Sequence, residues 1–333
     1  MKTRPKYTSI LAPHINVFLD KLKAFGVITD RYEYFLGEFD RYAQAAGITS
    51  VNHLTRNFFA QWCESRVNDH EKTIYYKLTM LRQFVKHLNV TGNPCHVPTL
   101  PRTPYNNFNP YIFTHEEMSA IFKEFDKLPA YDHRMGTAAF SMPAIIRTLY
   151  ATGMRVSECT SLKNKDVNLK EGTILIRVSK TKKERLVPIS HSLSFVLKQY
   201  LCYRAKMHLR DSEYPESPFF IKTDGTAVIS HRVLDRFHRV LKACGIPQTP
   251  KQHAPRVHDL RHTFAVHAME AMLKRNEDLY VAMPILMTAL GHTTLHSTNE
   301  YVRLTAAMFP YLKNQCKQLN DIIFNESENN SRE

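Results

Sequence analysis

The sequence has no apolar run that approaches the roughly 20 residues needed to cross a bilayer as a helix. Its basic start, Met1 to Tyr7, leads into amphipathic sequence rather than into the apolar core of a signal peptide. Six cysteines are scattered at positions 63, 95, 159, 202, 244 and 316, and no close pair resembles a metal knuckle. We therefore expect reduced thiols and a cytoplasmic, nucleoid-associated location with no membrane contact.

Acidic residues are few relative to basic ones. The 333 residues, enough for two domains, contain 45 Lys and Arg against 31 Asp and Glu, a formal net charge of +14. This excess suits a polyanionic partner, because cations that neutralise phosphates release condensed counterions. The alternative is a basic protein without such a partner, and charge alone does not separate binding DNA from acting on it.

The first hundred residues have the apolar periodicity of α-helices. A helix is predicted over about 70–88, with Ile74, Leu78 and Leu81 on its apolar side. Four basic residues fall largely away from that side and are candidate DNA contacts: Lys72, Lys77, Arg82 and Lys86. The alternative interpretation is a solvated helix face.

A proline-containing stretch without periodicity follows, and it predicts a linker over 101–112. Thr114 and Glu117 then form a capping-box pattern that opens a new helix. We therefore predict a helical domain over 1–100, a second domain over 113–324 and a polar, disordered tail over 325–333.

The second domain mixes helices with short strands. A helix is predicted over 138–151, ended by Gly153 as a left-handed stop. Residues 173–178 and 185–189 read as strands joined by a lysine-rich turn, and Asp224-Gly225 suggests another small hairpin. Further helices are predicted over 258–274 and 305–324. The expected fold class is mainly α with a small antiparallel β-sheet.

Four segments concentrate residues suited to a phosphodiester: LYATGMRVSE, SKTKKERLVPIS, HDLRHTFAVH and LGHTTLHSTNEYVRL. Each has an ordinary explanation when taken alone. An Arg beside a Glu is usually a surface pair, and a lysine-rich turn is usually solvated. His258 and His262, four residues apart, also suggest a zinc hydrolase, although no third ligand is suitably spaced.

Taken in order, the four segments resemble the tyrosine recombinase (phage integrase) family, including the Xer recombinases. The resemblance covers about residues 114–305. It implies a two-domain, C-shaped DNA clamp, in which a helical SAM-like core-binding domain precedes the catalytic domain.

The resemblance also implies how this sequence would hold a scissile phosphate. Arg155 and Arg261 would bind its non-bridging oxygens as negative charge builds up in the transition state. His292 would hydrogen-bond the phosphate, and Glu158 would support the pocket. No metal or other cofactor is implied.

By the same resemblance Tyr301 is the nucleophile, and its attack leaves a 3′-phosphotyrosyl link and a free 5′ hydroxyl. His258 would assist proton transfer at the tyrosine oxygen, because a phenol with a pKa of about 10 is a poor nucleophile at neutral pH. Lys180 would be the general acid for the 5′ oxygen. Three neighbours in the hairpin are further DNA-contact candidates: Lys182, Lys183 and Arg185.

Two features depart from the family pattern. Ser179 and Thr181 replace the glycines that usually flank the lysine, so Lys182 or Lys183 could act instead of Lys180. The 34-residue step from His258 to His292 exceeds the compact Xer spacing. A loop or extended helix over 274–283 would hold the extra length, and another insertion is expected around 130–136. These expansions favour a mobile-element integrase or transposase.

Recombinases of this family work as tetramers on two duplexes, and they often exchange C-terminal helices. An apolar set could form such a docking face, or could pack within its own domain: Met308, Tyr311, Leu312, Leu319, Ile322 and Ile323. Accessory DNA-bending proteins or a partner recombinase are further expected partners. Two rival functions share the fold: an inactive DNA-binding protein and a type IB topoisomerase-like relaxing enzyme.

Overall fold

The computed structural model describes residues 7–104, 110–128, 136–177, 184–209, 211–246, 254–275, 277–292, 301, 303–305 and 308–309. The chain divides into two compact units, Met1–Asn107 and Phe108–Glu333. The division falls inside the stretch 101–112 in which a linker is predicted. None of the helices in the described ranges is both long and apolar enough to cross a membrane.

In the described residues of the first unit, the regular secondary structure is helical. Its α-helices are α1 Ala12–Ala24, α2 Asp30–Ala45, α3 Arg56–Glu64 and α4 Glu71–Val90. Aromatic side chains dominate the core between them, where Phe39 lies edge-on to Trp62 and Phe84 is fully buried. Burial of such large rings supplies much of the hydrophobic stabilisation of a small unit.

Lys77 does not lie on the outer face of α4, as a DNA contact would require. Its side chain is 5% exposed, and Nζ lies 2.8 Å from Glu38 of α2 and 2.6 Å from Asp69. Lys77 therefore lies inside the unit rather than on the exposed helix face that the predicted DNA contact assumed. A buried ammonium needs paired carboxylates, and here it joins α4 to α2 and to the turn before α4.

The second unit contains seven α-helices in its described residues: α5 His115–Asp126, α6 Met142–Thr152, α7 Val156–Thr160, α8 His191–Ala205, α9 Ser230–Ala243, α10 Asp259–Lys274 and α11 Leu279–Leu290. A three-stranded antiparallel sheet has the order β1 Val167–Asn168, β2 Thr173–Ile176 and β3 Arg185–Pro188. The prediction of a mainly helical fold with a small antiparallel sheet is confirmed.

The local signals for helix ends are accurate. Thr114 accepts a hydrogen bond from the Glu117 amide (3.1 Å), and the Glu117 carboxylate accepts one from the Thr114 amide (2.9 Å). This reciprocal capping box opens α5 as predicted. Gly153 ends α6 with φ +61°, the left-handed conformation predicted for it.

Other details differ from the predictions. Both predicted strands are shorter than expected, and β1, a strand that was not predicted, pairs with β2. At Asp224-Gly225 a tight turn carries only an isolated bridge between Ile221 and Ala227. Within the stretch 274–283, α10 ends at Lys274 and α11 begins at Leu279. Residues 130–135 of the insertion predicted around 130–136, residues 179–183 of the predicted hairpin turn and residues 310–324 of the predicted C-terminal helix lie outside the described residues.

We expect Lys77→Ala to lower the free energy of unfolding by about 2 kcal/mol, since Asp69 loses its ammonium partner and Glu38 keeps only Arg66. Lys86→Ala is the matched control on the same helix, because Lys86 is exposed and its replacement should change stability by less than about 0.5 kcal/mol. Urea denaturation of both variants measures the difference. Equal stabilities would contradict a structural role for Lys77.

Candidate active site

Residues far apart in the sequence meet in one pocket of the second unit. The turn between α6 and α7 contributes Arg155, α7 contributes Glu158, β3 contributes Arg185, and α10 contributes Arg261. The end of α11 and Tyr301 complete the pocket. All four of these charged residues are linked by hydrogen bonds to one another or to the helix ends around them.

Glu158 lies at the centre, buried in α7. Arg185 donates two hydrogen bonds to its carboxylate, from Nη1 to Oε1 (3.2 Å) and from Nη2 to Oε2 (2.7 Å). Arg155 donates from Nη1 to Oε1 and from its backbone amide to Oε2, both at 2.8 Å. Burial acts to raise the pKa of Glu158, but the bonds from Arg185 and Arg155 outweigh it and lower the pKa. The ionised carboxylate therefore fixes two guanidinium groups.

Arg261 is held by backbone carbonyls instead. Its Nη1 donates to the carbonyl of Gly153 (2.8 Å) and its Nη2 to the carbonyl of Leu290 (2.5 Å). Its side chain is buried, and burial, followed by the charge of Arg155, lowers its pKa to about 10. Arg261 is therefore still protonated at neutral pH. Two bonds to carbonyls use two of the five guanidinium donors, so the fork keeps donors for a ligand.

Two glycines make these approaches possible. A Cβ at Gly153 would lie 2.3 Å from Cδ1 of Phe264 and 2.9 Å from Leu290, and the residue has φ +61°. Gly291 follows α11 with φ +67°, and a Cβ there would lie 3.1 Å from Arg185. Only glycine combines this backbone conformation with such close contacts.

Three histidines surround the arginines and carry depressed pKa values. Desolvation, followed by the charge of Arg261, lowers the pKa of His258 and of His292 to about 4. Burial, followed by the charges of His258 and Arg261, lowers that of His262 to about 3. All three are therefore neutral at pH 7. Three guanidinium groups then face one carboxylate, Glu158, so these four groups leave an excess of two positive charges.

Tyr301 is buried against α10 and α11, in a cluster with Ala265, Leu286 and Leu290. Its hydroxyl lies 3.2 Å from Nδ1 of His262. The ring of His292 stacks on its ring, with centroids 5.9 Å apart and planes 10° from parallel. The hydroxyl of the predicted nucleophile is therefore bonded to an imidazole inside the cationic pocket.

Five predicted site residues come together around Tyr301: Arg155, Glu158, His258, Arg261 and His292. Lys180, Lys182 and Lys183 lie outside the described residues. Arg185 was predicted to contact DNA, but it is buried with its guanidinium on Glu158 and on the Ala289 carbonyl. Arg185 is therefore engaged inside the unit, where it balances a buried carboxylate, and is not on the exposed surface that the prediction assumed.

The remaining DNA-contact candidates lie on α4 of the first unit. Lys86 is exposed, whereas Lys72 and Arg82 are half-buried. Arg82 donates to the Pro98 carbonyl over 3.4 Å. Their contact with DNA stays a prediction.

Sequence reasoning missed two features. His262 was weighed only as a zinc ligand, yet it is the histidine that meets the Tyr301 hydroxyl. It also overlooked α9, which exposes one basic side next to α7: His231, Arg232, His238, Arg239 and Lys242. The recurrence of basic residues every three or four positions was the signal for it. Across the described ranges, no three His, Cys, Asp or Glu side chains cluster as a metal site requires.

Comparisons with known proteins agree with this geometry. The model of the phage integrase family matches residues 112–308, more than half of the chain. The chain belongs to the phage integrase family. Tyrosine recombinase XerA of Pyrococcus furiosus is 30% identical over 254 residues, which cover 76% of this chain and 73% of XerA. The predicted family is therefore confirmed.

Solved structures of this family share the fold. One is the XerH site-specific recombinase bound to a palindromic difH substrate in a post-cleavage complex, with a TM-score of 0.61 and 22% identity over 81% of this chain and 74% of that one. Another is a lambda integrase tetramer bound to a Holliday junction, with a TM-score of 0.60 and 15% identity over 86% of this chain and 79% of that one. At these identities the likeness establishes the fold.

We expect Gly153→Ala to destabilise this integrase-family chain more than Gly245→Ala does. Both glycines have similar positive φ angles, +61° and +68°, but a Cβ at Gly245 meets nothing within 4 Å. The backbone strain of about 1 kcal/mol is therefore shared, while the clash with Phe264 adds about 1–3 kcal/mol at Gly153 only. Denaturant unfolding of the two variants gives the difference, and equal losses would contradict the close packing at Gly153.

Proposed function

We propose that this protein is a site-specific DNA recombinase that cleaves and rejoins strands through a 3′-phosphotyrosyl intermediate. The observation that carries the proposal is the Tyr301 hydroxyl on an imidazole, in a pocket with three guanidinium groups. A phenol needs both a proton acceptor and local positive charge to attack a phosphodiester at neutral pH.

The arginines supply the electrostatic part of the reaction. Arg155 and Arg261 bind the non-bridging oxygens of the phosphate, since planar guanidinium forks match phosphate geometry. His292, stacked on Tyr301, donates a hydrogen bond to the same group. Glu158, which is itself bound by Arg185, positions Arg155 through a hydrogen bond to its guanidinium. Preorganised cations of this kind stabilise charge that develops in the transition state.

Lys180 is the proposed acid for the leaving 5′ oxygen. It belongs to the connection between β2 and β3. Arg185, the first residue of β3 after that connection, pairs with Ile176, and its guanidinium binds Glu158 in the site. The phosphotyrosine keeps the energy of the broken bond, so a 5′ hydroxyl reverses the attack without ATP. Cationic side chains take the charge-neutralising role that metals have in many nucleases.

In this proposal each unit has its own DNA-binding surface: α9 in the second unit and the outer face of α4 in the first. Arg232, Arg239 and Lys242 are exposed on α9, and Thr160 of α7 lies 3.1 Å from Ser230 at its start. The helix α9 thus begins beside α7, the helix that contains Glu158. Lys86 is the exposed candidate on α4. Phosphate contacts from such residues set the position of the protein on a duplex.

A mobile genetic element is the proposed context. The 34-residue step from His258 to His292 contains α10 and α11, and α11 packs against α10. This length, longer than the compact Xer spacing, supports the proposal. Excision and integration assays on the ends of the element that encodes the protein test this assignment, and resolution of chromosome dimers alone would contradict it.

We expect wild type, but not Tyr301→Phe, to form an SDS-resistant complex with a nicked suicide duplex from its own element's ends in EDTA. The phenylalanine lacks the attacking oxygen. After cleavage, the short fragment that carries the new 5′ hydroxyl dissociates from the nicked duplex, so the strand cannot be rejoined. Denaturing gels measure the covalent product, and gel shifts show that both proteins bind.

Other outcomes of this experiment separate the rival functions. A covalent band in both proteins would exclude Tyr301 as the nucleophile. Binding without a band in either would favour an inactive DNA-binding protein. Efficient relaxation of supercoiled DNA of any sequence would favour a type IB topoisomerase-like enzyme.

We also propose that the active form is a homotetramer on two duplexes, joined by exchanged C-terminal segments. A tetrameric lambda integrase with the same fold supports it. Met308, predicted on the docking face, packs with Phe309 against the unit's own cluster around Tyr301. The exchanged part would therefore begin beyond Phe309, and the other predicted docking residues lie outside the described ones.

Truncation after Phe309 should consequently leave the melting temperature nearly unchanged while reducing synapsis of two duplexes at least tenfold. Truncation after Ala307 is the matched variant, and it should also lower the melting temperature because Met308 and Phe309 are lost. Thermal unfolding and native gels of two-duplex complexes measure both effects. Normal synapsis after truncation at Phe309 would contradict exchange.

A further inference from the structure

The hydroxyl of Tyr301 and the side chain of His262 are in direct contact, with Oη 3.2 Å from Nδ1. The two rings have centroids 5.8 Å apart. His258, which the family resemblance assigned to this proton, lies one helical turn earlier, and its ring contacts that of His262 with centroids 5.1 Å apart. The geometry therefore favours His262 over His258 as the group next to the reacting oxygen.

Both partners of this contact are held by their surroundings. His262 follows Arg261 on α10, whose guanidinium is anchored to two carbonyls. The next residue, Thr263, accepts a hydrogen bond from the Phe113 amide (3.1 Å). On the other side, the Tyr301 carbonyl accepts from Thr305 (2.7 Å), and His292 covers the ring. Such preorganisation is what a proton transfer in the transition state requires.

His262 is available as a proton acceptor at neutral pH. Its pKa is lowered to about 3 by burial and by the charges of His258, Arg261, Arg256 and His292, so the imidazole is neutral. A bound phosphate brings negative charge to the same arginines and raises the pKa of a nearby imidazole. The basicity of His262 would therefore increase when substrate fills the pocket.

We propose that His262 is a catalytic residue that accepts the Tyr301 hydroxyl proton during strand cleavage. The inference rests on the proposed recombinase function. In the step, the Oη–H bond breaks and its proton moves to Nδ1 of His262, while the Oη–P bond forms. The bond between phosphorus and the 5′ oxygen breaks, and that oxygen takes a proton from Lys180. On religation His262 returns the proton to Oη.

Two substitutions distinguish proton transfer from mere hydrogen bonding. In His262→Asn the amide oxygen replaces Nδ1 as an acceptor but takes no proton, whereas His262→Ala removes the acceptor. His191→Asn is the control, since this exposed histidine lies at the start of α8. Single-turnover formation of the covalent complex on the nicked duplex is the readout, with gel shifts to confirm equal binding.

We expect both His262 variants to cleave about 10²- to 10⁴-fold more slowly than wild type, the usual contribution of a general base. This loss of cleavage rate should persist with a 5′-bridging phosphorothiolate duplex, because its thiolate leaving group needs no proton from a general acid. It should also shrink as pH rises, because the variants depend on solvent to remove the proton. The wild-type rate should fall as His262 becomes protonated at low pH and level off above its pKa in the complex.

Three results would overturn the inference while leaving the proposed function intact. One is a wild-type rate for His262→Asn, which would reduce His262 to positioning the tyrosine by a hydrogen bond. Another is a deficit that does not change with pH. The third concerns the phosphorothiolate duplex. It is a full loss of cleavage rate in His258→Asn together with a wild-type rate in His262→Asn. Absence of a covalent complex in wild type, in contrast, would overturn the proposed function and the inference with it.

Discussion

The rest of the pocket depends on the ion pair between the buried Glu158 carboxylate and Arg185. This pair joins α7 to β3, and Arg185 continues to the Ala289 carbonyl of α11. Arg155 binds the same carboxylate from its other side. Removal of one member of such a group would strand a buried charge, which costs far more than a surface pair contributes. One carboxylate thus fixes two cations and connects three elements.

The third arginine of the pocket, Arg261, is positioned by helix ends. Gly153 and Gly291 each follow a helix in the left-handed conformation, and the carbonyls of Gly153 and Leu290 both accept from Arg261. The negative ends of two helix dipoles thereby meet a buried guanidinium. This arrangement holds a cation without a carboxylate, so its positive charge is not cancelled before a phosphate arrives.

The sequence predicted what depends on local rules. The capping box at Thr114 and the stop at Gly153 follow from neighbouring residues, and the spacing of the family motifs pointed to the catalytic set. It did not reveal that Lys77 and Arg185 are buried against carboxylates, because residue type and spacing do not distinguish an exposed basic residue from one that pairs inside the protein. Nor did it place His262 beside Tyr301: His258 and His262, four residues apart, share a helix face, and the packing of Tyr301 against α10 brings its hydroxyl to His262.

The depressed pKa values in the pocket connect binding to chemistry. Before DNA binds, burial and, after it, the positive charge of the arginines keep the histidines neutral, which preserves an acceptor but makes it a weak base. A phosphate between Arg155 and Arg261 would offset that charge and strengthen the base beside Tyr301. On the proposed mechanism, the nucleophile is therefore activated by the group that it attacks. Reactivity would then be confined to a correctly seated phosphodiester.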